Sequence, residues 1–141
     1  MQRKQVRETK QRYAIKRSID ELGRPLAPRE ILDYASRFVP NLGIATVYRN
    51  IKFLVETGKL EPVDVPGQAP RYQAAGRVNQ PRFVCTNCDR VFNLKDAGRL
   101  NRIDCPDGFS VEKSAIYYYG VRKECANGTR CPYVEPMAAN G

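Results

Sequence analysis

Apolar positions in the first third of the chain recur with helical spacing. Ile15, Ile19 and Leu22 stand at i, i+4 and i+7 and form a single stripe, and Thr9 is placed to start the helix that carries them. Gly23 followed by Arg24-Pro25 stops that helix. Pro28 fits the first turn of a second helix, whose apolar face is Ile31, Leu32, Ala35 and Phe38. Val39-Pro40-Asn41-Leu42-Gly43 breaks the pattern, and a third helix follows in ATVYRNIKFLVETG. There Val47, Ile51, Leu54 and Val55 share one face, Gly58 ends the helix, and Tyr48, Arg49 and Lys52 lie on the opposite face.

Beyond Gly58 the period shortens. KLEPVDV, then PGQAP, then RYQ read as two extended segments around a Pro/Gly turn, a hairpin. Helix, helix, turn, helix and hairpin is the order of a winged helix-turn-helix, in which the third helix enters the major groove. Residues 74–81, AAGRVNQP, change character and read as a linker. PRFVCTNC and RVFNL then resemble two strands joined at a C-x-x-C. DAGRLNRIDC reads as a helix, with Gly108 ending that region. FSVEKSAIYYYG reads as a strand in which Phe109, Val111, Ala115, Tyr117 and Tyr119 supply the apolar bulk, the tyrosines serving sheet packing or a dimer contact. The fold class expected is α+β: a winged-helix domain over 1–76, a linker over 77–82 and a small α/β dimerisation domain over 83–141.

Composition adds a direction. Residues 1–17 hold seven Lys/Arg against one acid, and the whole chain of 141 residues carries a formal charge of +9, which favours polyanionic partners. From charge alone the segment is equally a solvated basic tail. No apolar run approaches a membrane span, and MQRKQVRETKQR lacks the apolar core and cleavage site of a signal peptide. A cytoplasmic location is expected, where five cysteines serve as reduced thiols or metal ligands. Cys85 and Cys88 form a C-x-x-C, and Cys125 and Cys131 form a C-x5-C far downstream. Two close pairs separated by a folded segment suit a structural Zn(2+), one per subunit, whose four thiolates leave no open position for chemistry. Buried thiols are the plainer alternative.

The ordered motifs resemble the ferric uptake regulator family of bacterial transcription factors over nearly the whole chain. They are Thr9-Lys10-Gln11-Arg12, Ala45-Thr46-Val47-Tyr48-Arg49, Arg71-Tyr72, Cys85-Thr86-Asn87-Cys88 and Tyr119-Gly120. The resemblance implies a homodimer that binds a pseudo-palindromic operator in double-stranded DNA, with structural zinc at the cysteine pairs. By motif position it puts DNA contacts on Tyr48, Arg49 and a basic residue such as Arg7. With Arg12, Thr46 and Lys52 these make the candidate DNA-binding set.

The departures are concentrated where that family binds its sensory metal. The chain has no histidine. Val78-Asn79-Gln80-Pro81-Arg82 stands where the family carries an H-x-H segment, Ser114 where it has another histidine, and Gln73 where the wing ends in glutamate. The expectation is a repressor that binds DNA without a sensory metal. A thiol-redox regulator using Cys105 is the alternative on the same scaffold, with Arg102 beside the thiol and a Cys-Pro pair that weakly resembles a haem motif. Catalysis is not expected: a catalytic zinc needs an open coordination position and a general base, and none stands near these cysteines.

Overall fold

The computed structural model describes residues 2–76, 80–94 and 105–123. Its elements run α1 (Gln2–Leu22), α2 (Pro28–Ala35), α3 (Ile44–Glu56), β1 (Leu60–Val63), β2 (Arg71–Ala74), β3 (Arg82–Cys85), β4 (Val91–Asn93) and β5 (Tyr117–Gly120). Contacts divide the chain into two compact units, one containing Met1–Gly76 and the other Arg77–Val134.

In the first unit the three helices pack around Ile15, Ile19, Leu26, Ile31, Ala35, Val47, Ile51 and Leu54. The stripe on α1 is buried from Ala14 to Leu22, but the helix starts at Gln2 and not at Thr9. Every residue from Arg3 to Lys10 is exposed, so this first half has no apolar face to betray it. Gln, Arg, Lys and Glu are adequate helix formers, and nothing before Thr9 breaks the helix. The second helix ends at Ala35, before Phe38, which is 41% exposed; Tyr34, at 5%, takes the core position expected of Phe38. The Tyr34 hydroxyl donates to Glu21 at 2.6 Å, and Arg17 donates to the same carboxylate. These two hydrogen bonds, the tyrosine's foremost, hold the Glu21 carboxyl below its ordinary value against the opposing effect of burial. Burial and the bond to Glu21 push the Tyr34 phenol up.

Gly58 terminates α3 with φ +74, while Lys59 N–H bonds Leu54 O at 2.9 Å and Gly58 N–H bonds Val55 O at 3.0 Å. That 6→1 and 5→2 pair is the glycine-ended cap its position suggests. β1 and β2 then pair antiparallel from Leu60↔Ala74 to Val63↔Arg71. The hairpin is joined to the helices through Leu26 and Tyr72, which exchange backbone bonds of 2.8 and 2.9 Å. Beside that bridge the Glu30 carboxylate receives Arg24, Arg71 and the Ala27 N–H at the start of α2. Both arginines are buried, so one carboxylate ties the hairpin to the helix N-terminus.

The second unit contains a three-stranded sheet of order β4-β3-β5. β3 pairs antiparallel with β4 and parallel with β5. The expected strand over FSVEKSAIYYYG is reduced to Tyr117–Gly120. Phe109 and Val111 are 73% and 58% exposed, so they do not supply core bulk. The helix expected in DAGRLNRIDC falls mostly outside the described residues, as do Cys125 and Cys131.

Candidate nucleic-acid interface and thiol cluster

Helical period divides α3 into two faces. Val47, Asn50, Ile51 and Leu54 are buried, whereas Tyr48 is 54% exposed and Arg49 and Lys52 are exposed beside it. A phenol ring and two cations therefore stand together on the solvent face of a helix anchored by its opposite side. Arg49 is partly oriented: its guanidinium donates to the Thr46 hydroxyl at 3.0 Å. Toward the hairpin, Tyr48, Ile51, Lys52, Val55, Pro62 and Tyr72 line a shallow groove between α3 and the strands.

α1 contributes charge in two ways. Arg7 is exposed and lines a second shallow groove with Arg3, Val6, Lys10 and Val39. Arg12 is half-buried against α3. Its Nε donates to Asn50 Oδ1 at 3.1 Å, and its guanidinium carbon lies 3.8 Å from the centre of the Phe53 ring. Asn50 Nδ2 in turn donates to Thr46 O at 2.9 Å. The chain Arg12–Asn50–Thr46 thus fixes the exposed turn of α3 to α1. Sequence reading passed over Asn50 and Phe53, although a polar Asn50 between Val47 and Leu54 on an apolar stripe is itself a signal of a buried hydrogen bond.

In the second unit Cys85 is buried at the end of β3 and Cys88 is half-buried in the turn that follows. The turn closes with Asp89 N–H on Cys85 O at 2.7 Å and Cys85 N–H on Arg90 O at 3.0 Å, and Asp89 takes φ +60. Burial pushes the Cys85 thiol up, but backbone N–H groups of Arg122, Cys88 and Asn87 converge on its sulfur and bring it below the usual thiol value. A sulfur cradled by amides is suited to bind a metal as thiolate, so the two described cysteines fit a zinc site as far as they go. Among the described residues no group of three or more His, Cys, Asp or Glu side chains gathers.

The positions aligned with sensory ligands are separately occupied. Gln73 is 2% exposed and donates to Glu61 Oε1 at 2.8 Å, Ser114 is exposed, and Arg82 is buried. Cys105 is exposed, and its thiol donates to Phe109 O at 3.1 Å. Arg102 lies outside the described residues.

A model of the ferric uptake regulator family matches residues 3–119. The peroxide operon regulator of Bacillus subtilis (strain 168) is 26% identical over 126 residues, 86% of this chain and 85% of that protein. The ferric uptake regulation protein of Campylobacter jejuni is 23% identical over 124 residues, 84% of this chain and 79% of that protein. The solved Helicobacter pylori ferric uptake regulator superposes with a TM-score of 0.63 at 22% identity, covering 82% of this chain and 79% of that one. A zinc-bound manganese uptake regulator superposes with a TM-score of 0.67 at 20% identity, over 79% and 86% of the two chains. At such identities the structural likeness is one of fold: an N-terminal helical DNA-binding domain and a C-terminal α/β domain.

Proposed function

The chain belongs to the ferric uptake regulator family, and from that membership we propose that it is a transcriptional repressor that binds a pseudo-palindromic operator as a homodimer without a sensory metal. Members of the family are metal-responsive DNA-binding transcription regulators and not enzymes. The observation that carries the reading is the solvent face of α3, where Tyr48, Arg49 and Lys52 are displayed on a helix whose other face is core. In the major groove Arg49 is suited to the O6 and N7 of a guanine. Tyr48 suits a thymine methyl, and Lys52, with Arg7 on α1, suits phosphates. Thr46 and Arg12 complete the DNA-binding set by holding Arg49 and α3 in place. The functional halves are residues 1–76 and 83–141, with a joining segment over 77–82 whose last residue, Arg82, is already the first of β3.

Dimerisation is supported by the sheet of the second unit. β5 is an edge strand among the described residues, with Tyr118 and Tyr119 exposed along it, and an unpaired edge is a template for a second copy. Cys85 and Cys88, with Cys125 and Cys131, would hold one structural zinc per subunit; bound there, it contributes folding free energy to a small domain. Metal independence is supported by the absence of histidine from the chain, the bond of buried Gln73 to half-buried Glu61 and the buried cation of Arg82. A regulator of cytoplasmic DNA is in turn cytoplasmic, and no helix among the described residues is long and apolar enough to cross a membrane.

The test is operator binding by the zinc-loaded protein after loosely held metal is removed, with and without added iron(II) or manganese(II). Operators would be selected from random DNA. Equal, salt-sensitive binding in both conditions is expected. Binding only with added metal would overturn the metal-independent reading, and a folded dimer that selects no DNA would overturn the repressor itself.

A further inference from the structure

A guanidinium taken out of water needs a counter-charge, because the interior neither solvates nor screens it. Among the described residues three arginines are buried: Arg24, Arg71 and Arg82. The first two share the Glu30 carboxylate. Arg82 is 8% exposed and pairs with no carboxylate among the described residues, and its Nε is covered without any hydrogen-bond partner. Its aromatic neighbour, the Tyr117 ring, is centred 6.0 Å from the guanidinium carbon, the outer limit of a cation–π contact.

Register defines the surroundings. Arg82 stands opposite Asn93 on β4 and Tyr117 on β5, so these three side chains share one face of the sheet. Val84 and Val91, the next pair along that face, are fully buried, while Tyr119, beside Val84 on β5, is 52% exposed, so the face is apolar toward β4 and open toward β5. Cys85 alternates to the other face, so the guanidinium is not part of the thiol cluster.

We propose that Arg82 is the centre of an anion site that takes a small oxyanion, a carboxylate or a phosphate, in the fork of its guanidinium. The planar fork presents parallel N–H groups to two oxygens at once, and the apolar surroundings of Val84 and Val91 strengthen the attraction. Asn93 and Tyr117 stand beside Arg82 in register on the neighbouring strands, and Asn93 would have to present its Nδ2, not its covered Oδ1, to a bound anion. Binding at Arg82 stands independently of the repressor reading; its consequence for regulation, an anionic metabolite as effector, rests on it.

The experiment follows thermal unfolding of the zinc-loaded full-length protein with sodium phosphate, sodium acetate or sodium chloride at matched ionic strength. Wild type is compared with Arg82→Met and Arg82→Lys. Phosphate or acetate, whichever is the better ligand, should raise the wild-type Tm by several degrees at about ten times its Kd, and chloride should not. Arg82→Met should lose that rise while being at least as stable as wild type in chloride, since it removes a buried charge that has no carboxylate partner among the described residues. Arg82→Lys, which keeps the charge but not the fork, should bind about tenfold more weakly and keeps the test decisive if the methionine variant fails to fold. An equal response in all three proteins would assign the anion to the basic face of the first unit and overturn the site. No anion response in wild type, together with dissociation of the dimer in Arg82→Met, would give the guanidinium a counter-charge on a second copy and overturn it equally.

Discussion

Arg49 and Arg12 are both cations of the first unit, and what holds each sets what its loss should do. Arg49 is exposed, and its guanidinium bonds the Thr46 hydroxyl of its own helix. Arg49→Ala should weaken operator binding by about 1–3 kcal/mol, roughly 5- to 150-fold, with an unchanged denaturation midpoint. Arg12 is bonded to Asn50 and stacked on Phe53 across two helices, so Arg12→Ala should also lower the unfolding free energy by about 1–2 kcal/mol, and the midpoint with it. Fluorescence anisotropy on one operator and urea titrations of both variants separate the two effects. Tyr34 carries a different signature. Glu21 is held below its ordinary value, so its stabilising bonds are fully present above the usual carboxylate range and are lost as pH falls through the depressed value. Tyr34→Phe removes the foremost of those bonds. The variant should be less stable by about 1–2 kcal/mol at neutral pH, and the gap should close in acid; a gap constant with pH would exclude Glu21 as its cause.

At the scale of elements, Glu30 joins α2 to the hairpin through two buried arginines. Glu30→Ala takes the shared carboxylate from both buried guanidinium groups, leaving them only neutral acceptors such as Gln68 Oε1 and Pro25 O, and should cost about 3–5 kcal/mol. In native-state hydrogen exchange the amides of β1 and β2 should lose protection before those of α3. None of this was legible in the sequence, where Arg24, Glu30 and Arg71 lie in three separate stretches with no periodic signal linking them. Local order was legible. The α3 face, the glycine that ends that helix and the hairpin follow from spacing and turn residues alone. The start of α1 was hidden because its first turns are polar on every side. The parallel pairing of β3 with β5 was hidden because a strand's partner is chosen by the rest of the fold, and FSVEKSAI has the composition of a strand without the burial that would make it one.

For the whole molecule, the two compact units depend on different things. The described core of the first is helical and apolar, while the sheet of the second has few buried side chains and is expected to lean on zinc. Removing zinc with a strong chelator should abolish dimerisation, measured by sedimentation, while most of the helical circular dichroism survives because α1, α2 and α3 all lie in the first unit. A simultaneous loss of both signals would mean that the units do not fold separately. The parallel pairing carries one more consequence, for the order in which the nascent protein becomes structured. Thr86 and Gly120, which close the end of β3 on β5, are 34 residues apart, whereas the core and the strand pairing that join α1, α2, α3, β1 and β2 draw on residues 14–74. During synthesis the DNA-reading half can therefore complete itself while the strand that seals the other half is still inside the ribosome. If the chain pairs as proposed, a monomer with a finished reading head precedes the dimer.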